Sequence, residues 1–280
     1  MQILPHEKQI LNISEKVSRK KTNLDIKILF DAYHNYRKKL IQLSDNNEFK
    51  LVTQKVNLLN EYAQIVYAQD YWKHLCGNIS KIYSSLFEEF FFELLKDMPE
   101  LNRFPTMVLG KAKTYLQLSL APGNIEDFFN HPCVHIKSKQ QDFTISKIIQ
   151  CSFNNKNSTE ILKKDIVVPT VVIECKRYVA VTMLDQIAYE AQRLKEGNPF
   201  ALFIVAAEQS ALSKAINLGE YRFIDEIFIL RKQKRTNSPE NQNPVDFDVV
   251  WQLYDLIKKY LSSNWADVEK RLKTGKLIHP

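Results

Sequence analysis

The stretch Ile166-Val-Val-Pro-Thr-Val-Val-Ile-Glu-Cys-Lys-Arg-Tyr178 constrains the fold of this chain more than any other. Apart from Pro169, every residue from Ile166 to Ile173 is β-branched, and no polar alternation interrupts the run. Such a sequence is stiff at χ1 and marks a strand buried on both faces. Pro169 lacks an N–H, so it belongs at the strand's entry into the sheet or at a bulge. The strand ends in Glu174-Cys175-Lys176. Its period of two sends Glu174 and Lys176 to one side and Cys175 to the other. A carboxylate and an ammonium leaving a buried strand together form either an ordinary strand-end ion pair or part of a site. In a site, the carboxylate can hold a hard cation and the ammonium can orient a water beside it.

The neighbouring segments favour a site. Asp142 opens a second apolar stretch, Phe143 to Ile149, that reads as another strand. If the two strands pair, Asp142 and Glu174 bracket one cation. Asp165, nine positions before Glu174, is a rival first acid, but it reads more naturally as a charged turn residue. Downstream, Thr182-Met-Leu-Asp185 fits a capped helix start, with Leu184, Ile187, Ala188, Ala191 and Leu194 on one face and Gly197-Asn-Pro199 as the stop. Phe200 to Ala207 is a further buried strand, and Glu226 to Arg231 a shorter one. Upstream, Ile79 to Met98 is the strongest helical pattern in the chain, and Gly110 to Leu120, with its alternating Tyr115-Leu-Gln-Leu-Ser-Leu120, reads as the first core strand with a basic approach. Ser210 to Gly219 reads as a helix closed by glycine.

Strand, strand, helix, strand around Asp142 and Glu174-Cys-Lys176 resembles the catalytic core of the PD-(D/E)xK nuclease superfamily. Gln141-Asp-Phe-Thr-Ile-Ser146, Val171-Val-Ile-Glu-Cys-Lys-Arg-Tyr178, Thr182-Met-Leu-Asp185 and Ala191-Gln-Arg-Leu-Lys195 are similar, more narrowly, to the type II restriction endonuclease group that includes BbvCI and DdeI. The resemblance covers about residues 80 to 230. It implies an α/β fold, an αβββαβ core on a mixed sheet. It also implies Mg2+-dependent hydrolysis of phosphodiester bonds in double-stranded DNA, at a short site built on a CTNAG-type core. Carried over by residue, it makes Asp142 and Glu174 the metal-binding carboxylates and Lys176 the catalytic lysine. Gln141 stands where the family pattern has proline. The first core helix of this fold often adds an acid near the metal; Glu89 borders the apolar stripe of Ile79 to Met98 and is the candidate, with a solvent-edge role as its alternative, while Glu88 is expected to face outward. Cutting both strands implies a homodimer or a pair with a related subunit, and a cognate DNA methyltransferase as functional partner. A repair or mobile-element nuclease of the same fold, or a DNA-binding module that no longer cuts, are the competing readings.

Composition sets the remaining bounds. The chain has 280 residues, is 45% hydrophobic and carries a net charge of +7 with pI near 9.0, which suits a folded protein with an acidic partner. Lys111, Lys113, His135, Arg177, Arg231, Lys232, Lys234 and Arg235 are the candidate DNA contacts, and Arg37-Lys-Lys39 is a weaker one. Residues 1–75 read as a helical N-terminal region with a recognition or dimerisation role, 76–231 as the core, 232–246 as a basic and polar loop able to order on DNA, and 247–280 as C-terminal helices packed on the core. The scattered Cys76, Cys133, Cys151 and Cys175 read as reduced thiols, and neither a signal peptide nor a membrane span is expected, so the expected location is the cytoplasm. No phosphate-cradling glycine loop is present, which argues against ATP-driven chemistry.

Overall fold

A computed structural model describes residues 4–20, 27–67, 79–156, 160–236, 241–263, 269 and 272–273. Among the described residues, helices α1 (Pro5–Lys20), α2 (Lys27–Gln42) and α3 (Glu48–Tyr67) come first, followed by α4 (Ile79–Leu95). Strand β1 (Val108–Leu120), short helix α5 (Ile125–Asn130), β2 (Val134–Phe153) and β3 (Leu162–Val179) lead to α6 (Val181–Gly197). Strands β4 (Leu202–Ser210) and β5 (Glu226–Ile229) and helix α7 (Phe247–Ser262) complete the order. The strands form one five-stranded sheet in sequence order. Pairing is antiparallel across β1, β2 and β3 and parallel across β3, β4 and β5. This is a mixed α+β sheet, as expected.

The unbroken apolar run of β3 is explained by two layers. Val171, Ile173 and Cys175 pack on the α4 side, with Phe90, Phe91 and Leu94, whereas Val172 belongs to the α6 side with Leu184, Ile187, Ala191 and Leu194. Both faces of the strand are dry, so β-branched side chains serve on each. Each fully buried Phe or Leu here contributes about 1.5–3 kcal/mol. Pro169 sits at a bulge, since Ile145 pairs with Val171 while Ser146 pairs with Pro169.

Two helix expectations change. Helix α6 begins at Val181 with Ala180 as its cap and no side-chain capping bond; Thr182 lies inside the first turn, and Asp185 instead accepts from the Tyr221 hydroxyl at 2.9 Å. Residues 211–217 form no helix. The Ala211 N–H is drawn to the Val179 carbonyl, and only Leu218–Tyr221 makes a 3-10 turn, started by the Asn217 side chain. The expected second C-terminal helix, Trp265 to Leu272, falls almost wholly outside the described residues.

The N-terminal helices share one apolar core with α4, the sheet and α7. A buried polar network also fastens them to α4. Glu89, expected near the metal, belongs to this network: it accepts from the His6 backbone N–H at 3.2 Å and the Tyr33 hydroxyl at 2.9 Å. His6 meets Ser85 and Tyr62 through its two ring nitrogens, and Arg37 pairs with Glu93, with Glu89 3.6 Å away. Arg37 is thereby committed inside the protein. Burial lowers the His6 pKa to about 3, so the imidazole is neutral.

The basic loop is also more tied than expected. Arg231, a candidate DNA contact, is 4% exposed and its Nε donates to Glu208 at 2.9 Å, beneath the Tyr67 ring. Burial alone would lower its pKa, but Glu208 raises it. Lys232 pairs with Asp246 at 2.9 Å. The Ser210 and Arg235 N–H groups bond Gln233 and Ser210 carbonyls, so residues 233–235 run against the end of β4; residues 237–240 lie outside those described.

These buried charges have measurable consequences for stability. Burial pushes the Glu89 carboxyl from an ordinary 4.5 up to about 7, with Arg37 and Tyr33 only partly offsetting it. The folded chain therefore binds that proton more tightly than the unfolded chain, a contribution complete below pH 4.5 and lost as pH rises through about 7. Glu89→Gln keeps an acceptor and removes the charge, so it should melt above wild type near pH ~8, by about 1–3 kcal/mol, and match it near pH ~5. Arg231→Met strands the Glu208 carboxylate, and urea unfolding should show a loss of about 3–5 kcal/mol.

Candidate active site

The β2–β3 ladder stops at the pair Phe143–Ile173. Below that point β2 continues beside β1 alone, while β3 continues beside β4 from Glu174 to Val179. The two central strands thus fork. Asp142 stands on one limb, Glu174 and Lys176 on the other. The Cys175 N–H, which would next have continued the ladder toward β2, donates instead to Asp142 Oδ2 at 3.0 Å. The same oxygen lies 3.4 Å from Lys176 Nζ, and Glu174 Oε2 accepts from Nζ at 2.8 Å. Asp142, Glu174 and Lys176, singled out from sequence, are brought together as one cluster.

Burial and charge act strongly on it. Glu174 is nearly enclosed, its side chain 4% exposed, and desolvation with the nearby Asp142 charge raises its pKa despite Lys176 and Lys139. For Lys176, burial lowers the pKa, but Glu174 and Asp142 together outweigh it and raise the net value. The ammonium therefore stays protonated, suited to donating hydrogen bonds and offsetting charge rather than to taking a proton.

Three further residues complete the surroundings: Lys139 and Glu190, not singled out from sequence, and Glu88, which was expected to face outward and is instead buried. Lys139 on β2 lies 3.6 Å from Glu174 Oε1 and pairs with Glu190 of α6. Glu88, not Glu89, faces this cluster: it pairs with Lys111 at 2.9 Å and feels the charges of Asp142 and Lys176. Burial raises its pKa. Helical spacing contains the explanation. Phe91 meets Phe143 of the sheet, ring centroids 6.5 Å apart, and Glu88, three positions earlier, shares that face. Glu89 lies round the helix, toward α1 and α2. Because α4 is buried on both sides, its apolar stripe alone did not reveal which side met the sheet.

The other candidates are more scattered. Asp165 pairs across from Gln150, exposed, roughly 30 Å along the strand from Glu174, and is no part of the cluster. Lys113 is exposed on β1 and His135 on the outer part of β2. The Arg177 guanidinium lies over the Tyr83 ring at 4.8 Å, and Arg235 over Tyr178 at 3.9 Å, just past Lys176 on β3. Lys234 is exposed and bridges Ser210 through its backbone.

The donor set suits a hard cation. Mg2+ takes oxygen ligands and typically uses one or two carboxylates together with substrate phosphate and water, rather than a full protein cage. Asp142 and Glu174 could supply such a pair, and the Lys176 ammonium between them marks where positive charge is favoured. Among the described residues no group of three His, Cys, Asp or Glu side chains is drawn together closely enough to form a metal cluster by itself.

Comparison with known proteins places the chain in a family. No curated protein matches the chain. In structure it is similar to a chain of the native BbvCI A2B2 tetramer, with a TM-score of 0.72 and 17% identity over 91% of this chain and 94% of that one, a likeness of fold. The model of the Bpu10I restriction endonuclease family matches residues 80–269, from α4 past α7 and including Asp142, Glu174 and Lys176. A match over more than half of the chain shows that it belongs to the Bpu10I restriction endonuclease family, a type II site-specific endonuclease.

Proposed function

We propose that this endonuclease hydrolyses phosphodiester bonds of double-stranded DNA with Mg2+ at the β2–β3 fork, at a short fixed site. The observation that carries the reading is the sharing of one ammonium by two carboxylates from different strands, Asp142 at 3.4 Å and Glu174 at 2.8 Å. Asp142 and Glu174 would hold the cation, with Glu88 close enough in charge to act on the same site. A bound divalent ion supplies an acidified water and charge neutralisation. Lys176, kept protonated, would donate a hydrogen bond to an attacking water and balance charge growing on the phosphate oxygens. Lys111, Lys113, Arg235 and the neighbouring basic side chains meet the backbone phosphates of the duplex.

The recognised site is proposed to have a CTNAG-type core, and the N-terminal helices and residues 232–246 to take part in base readout. Duplex cleavage needs two such forks, so the chain acts as a homodimer or beside a related subunit. The A2B2 assembly of the BbvCI structure supports the second arrangement. A methyltransferase protecting the same site is the expected functional partner.

Plasmid DNA incubated with Mg2+ and the purified chain tests the reading. Wild type should give discrete fragments or nicked circles. Asp142→Ala and Lys176→Ala should cut on the order of 10²–10³-fold more slowly, with Glu88→Gln losing less. Equal cutting by all of these would refute the site. Light scattering should give a mass above one chain, alone or after mixing with the related subunit; a lone monomer that still makes double-strand breaks in single encounters would overturn the assembly.

A further inference from the structure

Beyond the fork the outer limb of β2, Val134 to Asp142, leaves its β3-side edge without a strand partner among the described residues. Its side chains alternate, so His135, Lys137 and Lys139 share one face. Two contacts fix which face this is. Lys139 pairs with Glu190 of α6, and Arg193 of α6 reaches Gln117, the β1 partner of Lys137. The row therefore lies on the α6 side of the sheet, and its inner end touches Glu174 Oε1 at 3.6 Å. Lys137 and His135 are exposed, and Lys137 has no ion-pair partner among the described residues. Successive members of the row are about 6.8 Å apart along the strand, close to the step between neighbouring phosphates of one DNA strand.

We infer that Lys139, Lys137 and His135 form a track for the backbone phosphates of the strand being cut, leading outward from the bond at the fork. The inference rests on the DNA-cleaving reading above and adds the path of the substrate. Lys139 is the inner end, held by Glu190 and Glu174 so that it stays in place before DNA arrives. Lys137 is free to meet the next phosphate, and the His135 ring offers an N–H to the one after. The bland alternative is a solvated basic strand face, in which case no phosphate would be neutralised there.

The test is binding of a short random-sequence duplex, measured by fluorescence anisotropy in chelating buffer over a range of salt, with the full chain. For every phosphate that a variant ceases to neutralise, the magnitude of the slope of log K against log salt should fall by about 0.9. Lys137→Gln should show that drop, and adding His135→Gln should weaken binding further. Lys147→Gln, an exposed lysine of the same strand on the paired side of the fork, should leave the slope unchanged. An unchanged slope for Lys137→Gln, or an equal drop for Lys147→Gln, overturns the track, while the plasmid assay on Asp142→Ala still judges the nuclease reading separately. A wild type with no measurable affinity for duplex, also after mixing with the related subunit, overturns the track and leaves the nuclease reading to the plasmid assay.

Discussion

The parting of β2 from β3 is the constraint on which the site depends. A continuous ladder would bury the backbone of both strands and leave no room for substrate. Where it stops, each strand's polar backbone needs another partner. The Cys175 N–H finds one in the Asp142 carboxylate, a side-chain acceptor in place of a carbonyl. That bond holds Asp142 against the opposite limb, where Lys176 and Glu174 emerge. β1 and β4 keep the parted strands rigid, since each limb retains one full neighbour. The fork is therefore a stable opening in the sheet and not a frayed end.

The charges around the fork alternate. Glu190 meets Lys139, which approaches Glu174; Glu174 and Asp142 share Lys176; Lys111 meets Glu88 on the α4 side. Taken together, the acids exceed the bases by one. A cluster of this kind, with Glu174 almost dry, is costly unless a cation offsets it. The raised pKa of Glu174 expresses that cost, with desolvation the larger cause and the Asp142 charge second. Lys176 lessens it in part. The surplus negative charge would favour a divalent cation at this place over the acid-rich face of α4 beside Arg37, where Glu89 and Glu93 already have a guanidinium.

Much of this was legible in the sequence because strands report their faces directly. The β-branched run of β3 pointed to a doubly buried strand, and alternation alone put Glu174 beside Lys176 and away from Cys175. Of the two places its missing N–H allowed Pro169, strand entry or bulge, the bulge is the one it occupies. Asp142 required a further step, the resemblance to a nuclease core, since no local pattern joins residues more than thirty apart. What escaped were features set by the surroundings of an element. The choice between Glu88 and Glu89 depends on which side of a doubly buried helix meets the sheet. The burial of Arg231 depends on Glu208 and Tyr67, distant in sequence, converging on it. The helix expected after Ser210 failed because the end of β3 claims the Ala211 N–H.

Adjacent acids on α4 point to opposite tasks, and the N-terminal helices decide which does which. Neighbouring helix residues are separated by about 100° around the axis, so a modest turn of α4 would exchange Glu88 for Glu89 at the sheet. Apolar packing alone resists such a turn weakly, because Phe, Leu and Ile side chains can repack. Directional bonds resist it better. Glu89 is fixed by the His6 backbone and the Tyr33 hydroxyl, and Glu93, one turn on, by Arg37. A hydrogen-bonded buried network of this kind rigidifies the packing and specifies one arrangement over its neighbours. The N-terminal helices are in this sense part of the scaffold of the fork, since they hold Glu88 toward Lys111.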